Sequence, residues 1–130
     1  MKQEDKELLL KDLCARFPHD VIVERLYIPE NNGFSCELSY RDFELLNDDN
    51  WSIKPYLRPM SSMTKEEKYT YRHMLGATLN SEGESIMFVY VEDFPTVIDW
   101  LNAHYFDYRG LIEKGLALEA PEGMYRLVKK

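Results

Sequence analysis

Two runs with strand character, "VIVERLYI" at 21–28 and "FSCELSY" at 34–40, are separated only by "PENNG", five residues that favour a turn. No other feature constrains the fold as tightly. Runs rich in β-branched and aromatic residues on either side of a Pro/Asn/Gly turn predict an antiparallel hairpin. In the second run Phe34, Cys36, Leu38 and Tyr40 fall on one face, and Ser35, Glu37 and Ser39 fall on the other. "RDFELLNDDNWSIKPYL" extends the pattern less clearly. It reads as a short strand near Phe43–Leu46, a turn at Asn47–Asn50 and another strand near Trp51–Leu57. Pro55, with no amide proton for a ladder, is expected at a sheet edge or a strand end. Residues 20–58 therefore predict a small, curled antiparallel sheet of three or four strands.

The flanks change period. Leu10, Leu13, Cys14 and Phe17 recur at helical spacing over residues 3–16, Glu4 and Asp5 suit the positive end of the helix dipole, and Pro18 stops the run. Thr64 with Glu67 three residues later matches a capping box. Tyr71, Met74, Leu75, Thr78 and Leu79 then share one helical face, which Gly76 weakens. "NSEGES" reads as a loop and "IMFVYV" as a buried strand. In "EDFPTVIDWLNAHYF" the residues Phe94, Val97, Ile98, Leu101 and Tyr105 form one stripe, with Pro95 in the first turn. Tyr108, Leu111 and Ile112 suggest a further helical turn capped by Gly115. The expected architecture is α+β: an N-terminal helix, a small curled antiparallel sheet, then helices and one further strand packed on it. With 130 residues the chain suits a single domain, β-rich over 20–58 and mainly helical over 60–125.

Composition narrows function mostly by exclusion. A net charge of −7 argues against direct nucleic-acid binding, which needs a basic face to displace counterions. No segment offers the ~20 apolar residues of a membrane helix. The opening "MKQEDKELLLKDL" alternates charges and lacks an apolar signal core, so a cytoplasmic protein is expected. Cys14 and Cys36 are then expected as reduced, partly buried thiols.

Motifs for chemistry are missing. There is no G-x-S-x-G elbow, glycine-rich phosphate loop or H-E-x-x-H. His19, His73 and His104 are dispersed, and Asp107, three residues after His104, suits a cap for the following turn better than a ligand. The acid pairs Asp48/Asp49 and Glu92/Asp93 read as capping or solvated. Met60, Met63, Met74, Met87 and Met124 read as gap-fillers in a core. No catalytic residue, metal ligand or cofactor site is assigned.

What remains is the aromatic-rich stretch near the C-terminus. Leu101, Tyr105, Leu111 and Ile112 point inward as core. Trp100 and His104, four apart, share a different face. Trp100, His104, Phe106, Tyr108 and Arg109 are the residue types that dominate binding hot spots, and they form the candidate partner-binding edge; the bland alternative makes them core as well.

Two blocks, "KPYLRPMSSMTKEE" at 54–67 and "DWLNAHYFDYRGLIEKGLALEAPEGMY" at 99–125, together about a third of the chain, resemble the shared segments of a family of short proteins found in gut anaerobic bacteria and their prophages. The resemblance implies no activity. It implies a mobile-element setting and a common frame with variable segments at 20–53 and 68–98. Relatives often carry a second histidine where this chain has Tyr105, so a paired-histidine metal site is not expected here. The functional expectation is a non-catalytic interaction or accessory protein with a protein partner, or one that self-associates. The alternatives are an acidic decoy for a nucleic-acid-binding host protein and a small-molecule-binding domain.

Overall fold

A computed structural model describes residues 1–74, 77–79, 85–88 and 94–125; at 77–79, 85–88 and 94 it describes the backbone only. The architecture is mixed α+β, with a four-stranded sheet that does not close. Helix α1 spans Gln3–Arg16, with Glu4 and Asp5 in its first turn. A 3₁₀ turn at Phe17–His19 follows, carrying Pro18, and Asp20 reverses the chain at φ 56°. Strands β1 (Ile22–Tyr27) and β2 (Asn32–Glu37) form the expected hairpin, joined by a 3₁₀ turn at Ile28–Glu30 and by Asn31 in the left-handed region.

The next expectation fails. Residues around Phe43–Leu46 form helix α2 (Tyr40–Leu45), not a strand. The Ser39 amide donates to the Asp42 carboxylate at 2.9 Å, the reciprocal half of a capping box. The other Asp42 oxygen accepts from Arg25 Nε at 2.7 Å, which ties α2 to β1. Ser-x-x-Asp at 39–42 was the sequence signal for this helix.

Strand β3 (Trp51–Leu57) pairs antiparallel with β1, and its Ile53, Pro55 and Leu57 are buried on one face. Pro55 lies within the strand rather than at its end. It is tolerated because the pairs with the next strand, β6 (Leu118–Glu119), begin only at Tyr56, so no strand on that side calls for the amide proton that Pro55 lacks. The β3–β6 pairing is parallel, so the sheet, in order β2-β1-β3-β6, is mixed rather than wholly antiparallel.

Helix α3 (Lys65–Met74) begins at the predicted capping box: Thr64 N donates to Glu67 Oε1 at 2.9 Å and Glu67 N to Thr64 Oγ1 at 3.1 Å. Thr78 and Leu79 do not continue it. Ala77–Leu79 is strand β4, paired antiparallel with β5 (Ser85–Phe88), because an extended partner is available there. Leu75, Gly76, residues 80–84 of the expected loop and residues 89–91 of the expected strand lie outside the described residues. Helix α4 covers Phe94–Ala103. Residues 111–115 form a hydrogen-bonded turn rather than a helix, yet Gly115 closes it at φ 76° in the anticipated capping role.

Apolar burial divides in two. The larger cluster joins Leu9 and Leu13 of α1 to Val23, Ile53 and Leu57 of the sheet, Leu45 of α2, and Leu111 and Leu116. The smaller one gathers Met63, Val97, Leu101 and Phe106, with Met60 and Met74 packed against it. The inward face of α1 is Leu9, Asp12, Leu13 and Arg16. Of the stripe drawn from sequence, Leu13 is buried and Phe17 packs against the larger cluster, but Leu10, 41% exposed, and Cys14 face outward, and Leu9 takes the inner position. Two charged residues on the true inner face disguised it.

Candidate functional site

The C-terminal block is built around Arg58, a residue that sequence reading passed over. Arg58 leaves the end of β3 and pairs with the chain after α4: its amide donates to the Tyr105 carbonyl at 2.7 Å, and the Asp107 amide donates to the Arg58 carbonyl at 2.8 Å. Its guanidinium then lies 4.2 Å from the centre of the Phe106 ring. Nη2 donates to Glu67 Oε1 at 2.7 Å and Nη1 to Glu67 Oε2 at 3.0 Å, a bidentate fork that anchors the first turn of α3. Burial pushes the Glu67 carboxyl up, but the Arg58 guanidinium and the Thr64 amide outweigh it, and the net shift is downward.

An aromatic tier rests on this fork. Tyr71 of α3 stacks on Trp100 with ring centres 6.2 Å apart. Trp100 meets His104 at 4.4 Å and Phe106 at 5.8 Å. The His104 ring is held by its Nδ1, 2.9 Å from the Trp100 carbonyl oxygen. Helical spacing explains the Trp100–His104 contact, since residues four apart are neighbours. Phe106 departs from the expected edge: it is fully buried in the smaller core and offers nothing to a partner. An aromatic three residues past the helix end folds back under α4, as the Phe106 amide bonded to the Leu101 carbonyl shows. Trp100, His104, Tyr108 and Arg109 stay half-buried.

Tyr108 and Arg109 turn toward α1. Tyr108 donates its hydroxyl to Asn102 Oδ1 at 2.9 Å. Its ring lies near two guanidinium carbons, Arg16 at 5.3 Å and Arg109 at 4.9 Å. Arg109 Nε approaches Asp12 at 3.7 Å, so Arg109 is partly engaged within the fold. Asp107 caps as anticipated, accepting from the amides of Leu111 and Ile112 at 2.8 and 2.9 Å. Tyr105, at φ 65°, leaves the α4 stripe and stacks on Tyr125 with ring centres 3.7 Å apart. The Tyr125 hydroxyl donates to the Tyr56 carbonyl at 2.8 Å and accepts from the Ile22 amide at 2.8 Å.

The segments 54–67 and 99–125 are thus one spatial unit, joined by Arg58, Tyr125 and the β3–β6 pairing. Beside Arg58 lies a cleft of about 720 Å³, bordered by Thr64, Glu119, Glu122 and Tyr125. Among the described residues no three acidic, histidine or cysteine side chains cluster as metal ligands, and no helix is long and apolar enough to cross a membrane. Burial raises the Cys36 thiol above its ordinary range, against the opposing pull of Arg25. Compared with known proteins, the chain matches no family model, no curated protein and no solved structure.

Proposed function

We propose that this chain is a non-catalytic interaction protein whose contact face is the half-exposed edge of Trp100, His104 and Tyr108, with Arg109 beside it. One observation carries the reading: these rings remain partly open to solvent while their positions are already fixed. His104 is tied to the Trp100 carbonyl and Tyr108 to Asn102. Aromatic groups held in place before binding lose little side-chain entropy on contact, which favours their use as anchors. The net charge of −7 supports a protein partner rather than nucleic acid. Resemblance to short prophage-borne proteins supports a cytoplasmic role in a phage or mobile-element setting. The cleft beside Arg58 has Glu119 and Glu122 on its border, so it supports a small apolar ligand less well.

The test is capture of partners by the tagged chain at low and high salt, with wild type and the double variant Trp100→Ala/Tyr108→Ala, each melted separately. The expected result is a stoichiometric protein partner that survives high salt and is lost in a folded double variant. Retention by that variant removes the edge as the contact face. Loss of the partner at high salt favours the acidic-decoy alternative instead. Unfolding of the double variant reassigns these rings to the core.

A further inference from the structure

The β2 edge of the sheet is open and self-complementary. Opposite pairs in an antiparallel ladder alternate between bonded and non-bonded. The Leu38 amide donates to the Val21 carbonyl at 2.9 Å, and the register continues through Val23↔Cys36 and Arg25↔Phe34. This parity turns the backbone groups of Phe34 and Cys36 toward β1 and those of Gly33, Ser35 and Glu37 outward. β2 is the last strand on its side, all of it exposed except Cys36. Among the described residues, no backbone partner meets the outward groups of Gly33, Ser35 or Glu37. Sheet edges that stay single are usually blunted by lysine, proline or a bulge. The run Asn32–Glu37 has no lysine or proline, and its pairing shows no register shift.

We infer that β2 pairs with β2 of a second copy, antiparallel about a two-fold axis at Ser35, to make one continuous sheet. In that register Ser35 exchanges both its bonds with the partner's Ser35, and Gly33 exchanges both with the partner's Glu37. Every outward donor then meets an acceptor. Each Glu37 lies opposite a glycine, whereas a register centred on Glu37 would set two carboxylates face to face. Phe34, 51% exposed in the single chain, gains the partner's Cys36 as its opposite neighbour. Any antiparallel strand could fill the backbone bonds; the Gly33–Glu37 and Phe34–Cys36 pairings, which a second copy supplies by symmetry, favour it over a foreign peptide. The contact is separate from the aromatic edge and stands or falls without it.

Sedimentation of the full chain across a dilution series tests the pairing. The expected mass is that of two chains at high concentration, falling to one on dilution. Ser35→Pro removes an outward amide while leaving the β1–β2 ladder intact, and should give one-chain mass with an unchanged melt. Should that variant fail to fold, Ser35→Lys sets two like charges opposite each other at the axis and should also give one-chain mass. Phe34→Cys in a Cys14→Ser background should oxidise to a disulfide with the partner's Cys36, because non-bonded opposite pairs bring Cα atoms within disulfide reach. A one-chain mass at every concentration overturns the inference, as does a Ser35 variant that still dimerises. Loss of the dimer on Trp100→Ala, with Ser35→Pro still dimeric, moves the interface to the aromatic edge and overturns it too.

Discussion

Arg16 donates from Nη2 to the carbonyl of Phe106 at 2.6 Å, joining the last turn of α1 to the chain ninety residues further on. Both side chains are fully buried. Arg16 also holds Asp12, one turn earlier, through Nε at 2.9 Å and Nη2 at 3.1 Å. A buried ion pair adds little net stability against an apolar replacement, but removing one member strands the other charge. Arg16→Ala should therefore destabilise by about 3–5 kcal/mol, read as a lower urea midpoint with unchanged slope. Asp12→Leu/Arg16→Met should recover much of that loss. A mild effect of Arg16→Ala would mean that Arg109, already 3.7 Å from Asp12, takes over the carboxylate.

The Arg58–Glu67 fork makes a sharper claim about geometry. Lysine can replace the charge of Arg58 but neither the bidentate bond nor the planar contact with Phe106. Arg58→Lys should cost about 1.5–3 kcal/mol, the range of hydrogen bonds to charged groups. A double-mutant cycle with Glu67→Gln should give a coupling of about 0.5–3 kcal/mol. Additive single effects would remove the fork as the link between β3 and α3.

Acid should weaken the same junction. The Glu67 carboxyl is held below its ordinary value of 4.5 in the folded chain. A group depressed by folding contributes stability that is fully present above the unfolded value and lost as pH falls through the folded one. Melting temperature should thus fall as pH drops below about 4.5, and Glu67→Gln should flatten part of that decline. An identical acid profile in the variant would place the sensitivity on other carboxylates.

Adjacent leucines on α1 distinguish its two faces. Leu9→Ala should cost about 2–5 kcal/mol, because Leu9 is fully buried in the larger core. Leu10→Ala, at a position 41% exposed, should stay within about 0.5 kcal/mol. Equal costs in chemical denaturation would contradict the orientation of α1.

The sequence by itself determined the elements whose signals are local. A Pro/Asn/Gly turn between two β-branched runs is enough for the β1–β2 hairpin. Thr64 and Glu67 start α3, Pro95 and the stripe Val97–Leu101 mark α4, and Asp107 and Gly115 shape the turn after it. Each rests on residues within a few positions of one another. The helix at Tyr40–Leu45 was legible too, through Ser39 and Asp42, but its apolar residues are as compatible with a strand as with a helix.

Tertiary structure decided the rest, because those choices depend on what a segment meets. Thr78 and Leu79 became strand where an extended neighbour was available. Leu9 rather than Leu10 went inward because Asp12 and Arg16 satisfy each other and the Phe106 carbonyl, so two charges could join an apolar face. Phe106 left the candidate edge for the core, while Trp100, His104 and Tyr108 remained half-exposed above it. Arg58 carried no local signal at all. Its partners Glu67, Phe106 and the Tyr105 carbonyl assemble only when β3, α3 and the chain beyond α4 meet, and pairwise chemistry at such sequence distances is set by packing, not by pattern.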